Sequence, residues 1–139
     1  MQNDNCIFCK IIAGIIPSST IYEDDDFKVI MDISPAARGH AIILPKNHFE
    51  NLYEMDDETA SKVLLVARKV ASAMKEELTC DGLNVLQNNG EAAGQTVFHY
   101  HVHLIPRYRK DQVNINWEYG KYEQGEAEQI AEAIAARIV

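Results

Sequence analysis

Three of the chain's five histidines fall on alternate residues in Phe98-His99-Tyr100-His101-Val102-His103-Leu104-Ile105-Pro106-Arg107. The intervening residues are apolar or aromatic, and such residues favour strands. Alternation on a strand projects His99, His101 and His103 to one side while Tyr100, Val102 and Leu104 pack behind. A row of imidazoles fills a core poorly, because every ring nitrogen needs a hydrogen-bond partner or a ligand. Three uses follow from residue chemistry. An unprotonated imidazole can attack phosphorus while a second one holds or protonates an oxygen. The same His-x-His spacing can hold zinc in a metal hydrolase. The row can also be purely structural.

A second chemical signal is Cys6-Ile7-Phe8-Cys9. Alone, such a pair reads as a redox pair or as half of a zinc site. No thioredoxin-like βαβ pattern surrounds it. With two imidazoles it would complete a closed tetrahedral set, and His48 and His99 are free for that role. Cys80, just past a long helix, reads as an inert thiol.

The elements that must position these groups can be read from the pattern. Cys6 to Ala13 is a short apolar turn or helix, stopped by Gly14 and Pro17. Strands are expected at Thr20–Glu23, Phe27–Ile33, His40–Leu44 and Leu83–Gln87, with the histidine segment as the fifth. Asp24-Asp25-Asp26 could bind a cation, but a solvated hairpin turn is the plainer reading. The longest helix should start at Asp56 or Asp57, whose carboxylates suit an N-cap. Its core stripe is expected at Ala60, Val63, Leu64, Ala67, Val70, Ala71, Met74 and Leu78. A last amphipathic helix puts Ala127, Ile130, Ala131, Ile134 and Ile138 on one face. Short hairpin-linked strands with one long helical insertion imply an α+β fold: a five-stranded antiparallel sheet with helices on one face and the histidines toward a cleft.

At 139 residues, 47% hydrophobic and 24% charged, the chain reads as one globular domain. A net charge of -8 opposes a nucleic-acid partner, which needs a broad positive surface. No apolar run is long enough to span a membrane. The N-terminal residues lack a signal-peptide pattern, so a cytoplasmic location is expected. Three cysteines, an odd number, argue against a disulfide framework.

His99-Tyr100-His101-Val102-His103-Leu104-Ile105 matches the His-φ-His-φ-His-φ-φ signature, φ being hydrophobic, at every position. Gly94-Gln95-Thr96-Val97 resembles the phosphate-binding turn of the same family. Asp32-Ile33-Ser34-Pro35 with Gly39-His40-Ala41-Ile42-Ile43-Leu44-Pro45-Lys46 resembles its nucleotide-binding half, and Ile7-Phe8-Cys9-Lys10-Ile11-Ile12 its N-terminal segment. The chain thus resembles the histidine-triad (HIT) family, in its Hint-like, single-domain bacterial branch. The resemblance spans residues 5–110 of a single domain 1–139, leaving a C-terminal extension at 111–139.

The resemblance implies a HIT-like fold that dimerises into a continuous sheet. It also implies a nucleotidyl hydrolase or transferase acting on purine nucleoside monophosphate conjugates. His101 would be the nucleophile, its other ring nitrogen fixed by a main-chain carbonyl. His103 would contact the α-phosphate or leaving group, and His40 would support the triad. Asp32 would take the ribose hydroxyls, and Asn88, Gly94, Gln95 and Thr96 the phosphate. Phe8, Ile11, Ile16, Ile30 and Ile33 would line the base pocket, with core packing as the alternative for each. Some members carry a structural zinc, which assigns Cys6, Cys9, His48 and His99 to metal. Gln95-Thr96-Val97 and Pro106-Arg107 also resemble the diadenosine-polyphosphate hydrolase branch. A nucleotide-binding regulatory module with little turnover is the non-enzymatic alternative. After Trp117 the chain runs Glu118-Tyr119-Gly120, unlike the Trp-Pro-Pro-Gly ending of the eukaryotic branch, so substrate choice does not transfer.

Overall fold

The computed structural model describes residues 3–139. The elements run α1 (Ile7–Ile12), β1 (Thr20–Glu23), β2 (Phe27–Met31), β3 (Ala41–Pro45), α2 (Asp57–Leu78), β4 (Gly82–Leu86), β5 (Val102–Arg107) and α3 (Glu126–Ala135). All five strands join one antiparallel sheet in the order β1-β2-β3-β5-β4. The α+β architecture expected from the pattern is the one observed.

Strand alternation sorts the sheet into two apolar layers. Phe27, Val29, Ala41, Ile43, Val102 and Leu104 pack against Val63, Val66, Ala67, Val70 and Met74 of α2. Ile30, Ile42 and Leu44 point the other way and meet Phe8, Cys9 and Ile11 of α1. Helices therefore cover both faces, and α1 lies on the histidine side, where none was expected. Each fully buried aliphatic or aromatic side chain contributes about 1.5–3 kcal/mol, so these layers hold the sheet rigid beneath the site.

The acidic turn between β1 and β2 is organised by its own side chain. Asp24 Oδ1 accepts from the main-chain N–H groups of Asp26 and Phe27 at 2.8 and 2.7 Å. Asp56 caps α2 by accepting the Thr59 N–H at 2.8 Å. The core stripe of α2 is rotated from the one expected: Thr59 and Val66 are buried, whereas Ala60 and Leu64 are exposed. Before β3, Gly39 has φ +94°, and a Cβ there would collide with Leu78 Cδ1. That turn brings the end of α2 down onto the sheet.

Two strand boundaries differ in ways that matter for chemistry. β2 ends at Met31 because the Asp32 carboxylate turns back to accept the Ser34 N–H at 2.7 Å. The fifth strand starts only at Val102, so His99 and His101 precede it. The ladder has run out of donors there. Pro45 has no N–H, and its carbonyl accepts from the His99 ring at 2.9 Å, while Tyr100 N–H turns to Phe49 O.

The C-terminal helix forms but ends at Ala135, leaving Ile138 of the expected face outside it, and its apolar side is uncovered: Ile130 is 40% and Ile134 59% exposed. Among the described residues no helix is long and apolar enough to cross a membrane.

Candidate active site

His101 is held by its own chain. Its Nδ1–H donates to the His99 carbonyl at 2.7 Å, which leaves Nε2 with the free lone pair. Burial pushes its pKa below the ordinary histidine value, against the opposing pull of the His99 carbonyl and Asp32. The ring is therefore neutral at pH 7. Phe8 of α1 presses on it edge-on at 5.0 Å between centroids, and His103 meets it at 4.9 Å.

The tautomer of His103 follows from a chain of three hydrogen bonds. The Ala36 N–H donates to His40 Nδ1 at 2.9 Å, so the proton of neutral His40 sits on Nε2. That Nε2–H lies 2.9 Å from His103 Nδ1 and 3.5 Å from Asp32 Oδ2. With Nδ1 accepting, His103 must carry its own proton on Nε2. Burial, then repulsion from His101 and His40, lowers the His103 pKa to about 4. His40 is lowered too, by burial against the pull of Asp32. The pair His101 and His103 thus offers one bare nitrogen and one N–H donor, complementary roles for a reaction at phosphorus.

Asp32, His40 and His103 also lie close enough together to hold a metal. Their protons argue otherwise. Ala36 occupies one nitrogen of His40 and forces a proton onto the other, so the ring has no lone pair for a cation. This cluster reads as a hydrogen-bond relay.

A cavity of about 370 Å³ opens against these groups, within the size range of small-molecule sites, roughly 300–1,000 Å³. His101, His103 and Asp32 line its polar end, and Phe8, Ile11, Ile16, Ile30 and Ile42 form apolar walls. Ile33 stands at its rim, 93% exposed. All five apolar residues assigned to a base pocket therefore border one space. Thr96 and Val97 separate it from a second depression beside His48 and Glu50.

The residues assigned to phosphate differ in what they do. Gly94 has φ +93°, and a Cβ would sit 3.4 Å from Asn88 Nδ2, so the turn requires glycine. Gln95 is buried, with its amide engaged in the loop: Oε1 accepts from Gly90 N–H, and Nε2 donates to the carbonyls of Glu50 and Val97. It shapes the turn. Of this group Thr96 lines the cavity. Arg107 is directed at Asp111, Asn84 and Val113, away from the cavity lining.

His99, the first histidine of the row, is fully buried and turned to another task. Its Nε2–H donates to Pro45 O, so Nδ1 holds the lone pair. That nitrogen faces Cys6 Sγ at 3.5 Å, Cys9 Sγ at 3.6 Å and His48 Nδ1 at 3.1 Å. Cys9 Sγ lies 3.4 Å from His48 Nδ1. The sulfurs accept main-chain N–H groups as well, Cys6 from Cys9 and Cys9 from Asn3. Burial raises the Cys9 thiol pKa and lowers His99 to about 4. The four residues assigned to metal from the sequence do meet, and their donor atoms can hold a metal ion.

A family model described as the HIT domain matches residues 13–110. The chain belongs to the HIT family. It is 46% identical to Protein hit of Bacillus subtilis, over 97% of this chain and 95% of that one. It is 44% identical to an adenosine 5'-monophosphoramidase of Saccharomyces cerevisiae, over 81% and 69% of the two chains. An adenylylsulfatase of Arabidopsis thaliana is 40% identical over 80% and 56%. The crystal structure of a HIT family member from Bacillus subtilis superimposes with a TM-score of 0.94, at 46% identity, covering 98% and 99%. A zinc-bound histidine triad family protein from Mycobacterium smegmatis gives a TM-score of 0.76, at 37% identity, covering 96% and 98%.

Three contributors to this HIT-family site were not foreseen: the Ala36 N–H, the Pro45 carbonyl and the edge of Phe8 as a clamp on His101. Two are main-chain groups, an N–H and a carbonyl, which the identity of the side chain does not announce. Only the ring of Phe8 had a side-chain signal, its place beside Cys9.

Proposed function

We propose that the protein is a nucleotidyl hydrolase or transferase that cleaves at the α-phosphorus of AMP conjugates. Nε2 of His101 attacks phosphorus, forming a P–N bond as the bond to the leaving amine or oxygen breaks. The imidazole becomes cationic, and the His99 carbonyl stabilises it at Nδ1–H. His103 Nε2–H stabilises charge on a phosphate or leaving-group oxygen. Solvent supplies the leaving group's proton, and water then cleaves the P–N bond, releasing the nucleoside monophosphate and restoring His101. Asp32 takes the ribose hydroxyls, Gly94 and Thr96 border the phosphate, Asn88 supports that turn, and the apolar walls take the purine.

The observation that carries this reading is the 2.7 Å bond from His101 Nδ1 to the His99 carbonyl. It leaves the opposite nitrogen bare beside a nucleotide-sized cavity. Named relatives that act on an AMP phosphoramidate and on adenylylsulfate support the AMP moiety while differing in the leaving group. Incubation with radiolabelled adenosine 5'-phosphoramidate tests it. Acid-labile label on His101 and loss of turnover in His101→Ala are expected, and unchanged turnover in that variant removes His101 as nucleophile. Diadenosine polyphosphates belong in the same substrate screen, and AMP binding without turnover would favour the regulatory module.

Zinc is the metal proposed for Cys6, Cys9, His48 and His99. Zinc bonds of about 2.3 Å to sulfur and about 2.0–2.1 Å to nitrogen put tetrahedral neighbours about 3.3–3.8 Å apart. The N···N and S···N separations of 3.1, 3.4, 3.5 and 3.6 Å come within a few tenths of an ångström of that range. Its role is structural, since all four positions are protein ligands. A homodimer is also proposed, through the open edge of β4 and the exposed Leu64 and Leu65 of α2. A cytoplasmic location is proposed as well, since a reducing compartment keeps Cys6 and Cys9 unoxidised and available to a metal.

A further inference from the structure

His99 holds two unrelated partners at once. Its side chain supplies Nδ1 to the Cys6, Cys9 and His48 cluster, and its carbonyl receives the proton of the His101 ring. We propose that metal binding at the cluster positions the nucleophile: it fixes the main chain at His99 and so the tautomer and aim of His101. This rests on the reading of His101 as nucleophile.

The route is short and has few joints. The His99 carbonyl lies one bond from the Cα that carries the ligating ring. The ring is pinned at one end only, its Nε2–H tied to Pro45 O at 2.9 Å inside a fully buried site, so the partner of Nδ1 sets its remaining orientation. A metal at Nδ1 would therefore fix the carbonyl along with the ring. A second route runs through α1. This helix has only six residues, too few to persist by its own hydrogen bonds, and it carries both Cys9 and Phe8. Cys6, its N-cap, is the second thiol. A metal held by the two thiols staples α1 to the sheet. It thereby holds Phe8 against His99 and His101, with centroids 5.9 and 5.0 Å away.

Removing the metal leaves four soft donors facing one another. His99 Nδ1 bears no proton, so it can be satisfied only by His48 or by a thiol. Each choice draws the ring in a different direction. The carbonyl then moves with it, and His101 is free to exchange its Nδ1–H tautomer for the Nε2–H form, which has no nucleophilic lone pair toward the cavity. A misplacement of about 1 Å is enough to cost on the order of 100-fold in rate.

The test strips zinc from the whole protein with a high-affinity chelator, measures metal content and follows the fold by circular dichroism. Nitrogen-15 NMR of the histidine side chains reports the His101 tautomer. Rapid-quench assays with adenosine 5'-phosphoramidate report nucleotidyl-His101 formation, and calorimetry reports AMP affinity. Stripped, folded protein should show a mixed His101 tautomer and nucleotidylation slowed about 10- to 100-fold, with AMP affinity changed far less. Cobalt(II) should restore both and give the absorption of a tetrahedral sulfur–nitrogen site. An unchanged tautomer and rate in metal-free protein overturns the proposal.

If stripping unfolds the chain, His48→Gln, with three ligands left, allows a titration at partial occupancy. The tautomer signal should then track metal content. If that variant also unfolds as metal is lost, the metal serves folding as a whole and the specific route through His99 falls. Because the NMR signal needs no turnover, a loaded protein that never nucleotidylates His101 would defeat the enzyme reading and leave the coupling intact.

Discussion

His40 and His103 share a single proton: Nε2 of the first lies 2.9 Å from Nδ1 of the second, and the Ala36 N–H decides which ring owns it. The consequence is that His103 faces the cavity with a donor. Removing His40 takes away the group that selects this tautomer. His40→Ala should lower kcat by about 10²-fold, the low end of the effect of a positioned acid–base group. Affinity for AMP should change much less, because the residues proposed to take the base and ribose are left unchanged. Steady-state kinetics with an AMP phosphoramidate, paired with calorimetric titration of AMP, checks both halves. A rise in KM alone would assign His40 to binding.

The buried histidines make activity and stability depend on pH in the same sense. In the proposed mechanism His101 must be unprotonated to attack, and burial holds its pKa below the ordinary value of about 6.5. The acid limb of kcat/KM should therefore lie below pH 6.5, with a flat region above it. For stability the sign follows from proton counting. The His103 pKa falls to about 4 in the folded chain, against about 6.5 when unfolded. Between those values the unfolded state binds more protons, so stability is full above pH 6.5 and declines as pH falls toward 4. Initial rates corrected for spontaneous hydrolysis, and melting temperatures across that window, measure the two effects. An acid limb at or above pH 7 would contradict a neutral nucleophile.

Part of the fold is legible in the residues alone, and those parts share a cause. The β1–β2 turn and the start of α2 are written in side chains, Asp24 and Asp56, that bind their own neighbouring N–H groups. The grouping of Cys6, Cys9, His48 and His99 has no such local signal, its members standing up to 93 residues apart; residue types suggest a ligand set, and the resemblance to zinc-carrying family members assigns it. The late start of β5 is not legible. It depends on Pro45 spending its carbonyl on a ring more than fifty residues away in sequence. The stripe on α2 differs at Leu64 because periodicity says that a face exists without fixing its edges: Val63 and Val66 meet the sheet, while Leu64 and Leu65 are both exposed. Amphipathicity in α3 has the same limit: it marks Ile130 and Ile134 as one face, yet both stay exposed.

Asp32 is expected to read the sugar. One carboxylate oxygen accepts the Ser34 N–H at 2.7 Å, and the other lies 3.5 Å from His40 Nε2 at the polar end of the cavity. Asp32→Asn keeps the shape and exchanges an acceptor for a donor facing another donor. A hydrogen bond to a charged group is worth about 1.5–3 kcal/mol, so AMP affinity should fall by roughly 10- to 100-fold. The wild type should also bind AMP more tightly than its 2'-deoxy analogue, and the variant should lose that preference. Calorimetric titration of both nucleotides against both proteins measures it. Equal discrimination in the variant would take Asp32 out of ribose recognition.

The exit of the C-terminal segment from the sheet is fixed by one fork. Arg107 Nε and Nη2 meet the two Asp111 oxygens at 2.8 and 3.0 Å, while Nη1 donates to Asn84 Oδ1 at 2.8 Å and Nη2 to Val113 O at 3.2 Å. The guanidinium, helped by the Tyr108 N–H, holds the Asp111 carboxyl well below the usual carboxylate range. One ion pair thus joins β4, β5 and the first turn of residues 108–113. Lysine keeps the charge but not the planar fork, so Arg107→Lys should loosen the segment about as much as Asp111→Asn does. Limited proteolysis should then cut beyond residue 107 several-fold faster in both variants. The histidine NMR signals should stay in place, because the fork does not line the cavity. Unchanged cleavage in either variant would mean that the segment is held from elsewhere, with the uncovered face of α3 as the next place to look.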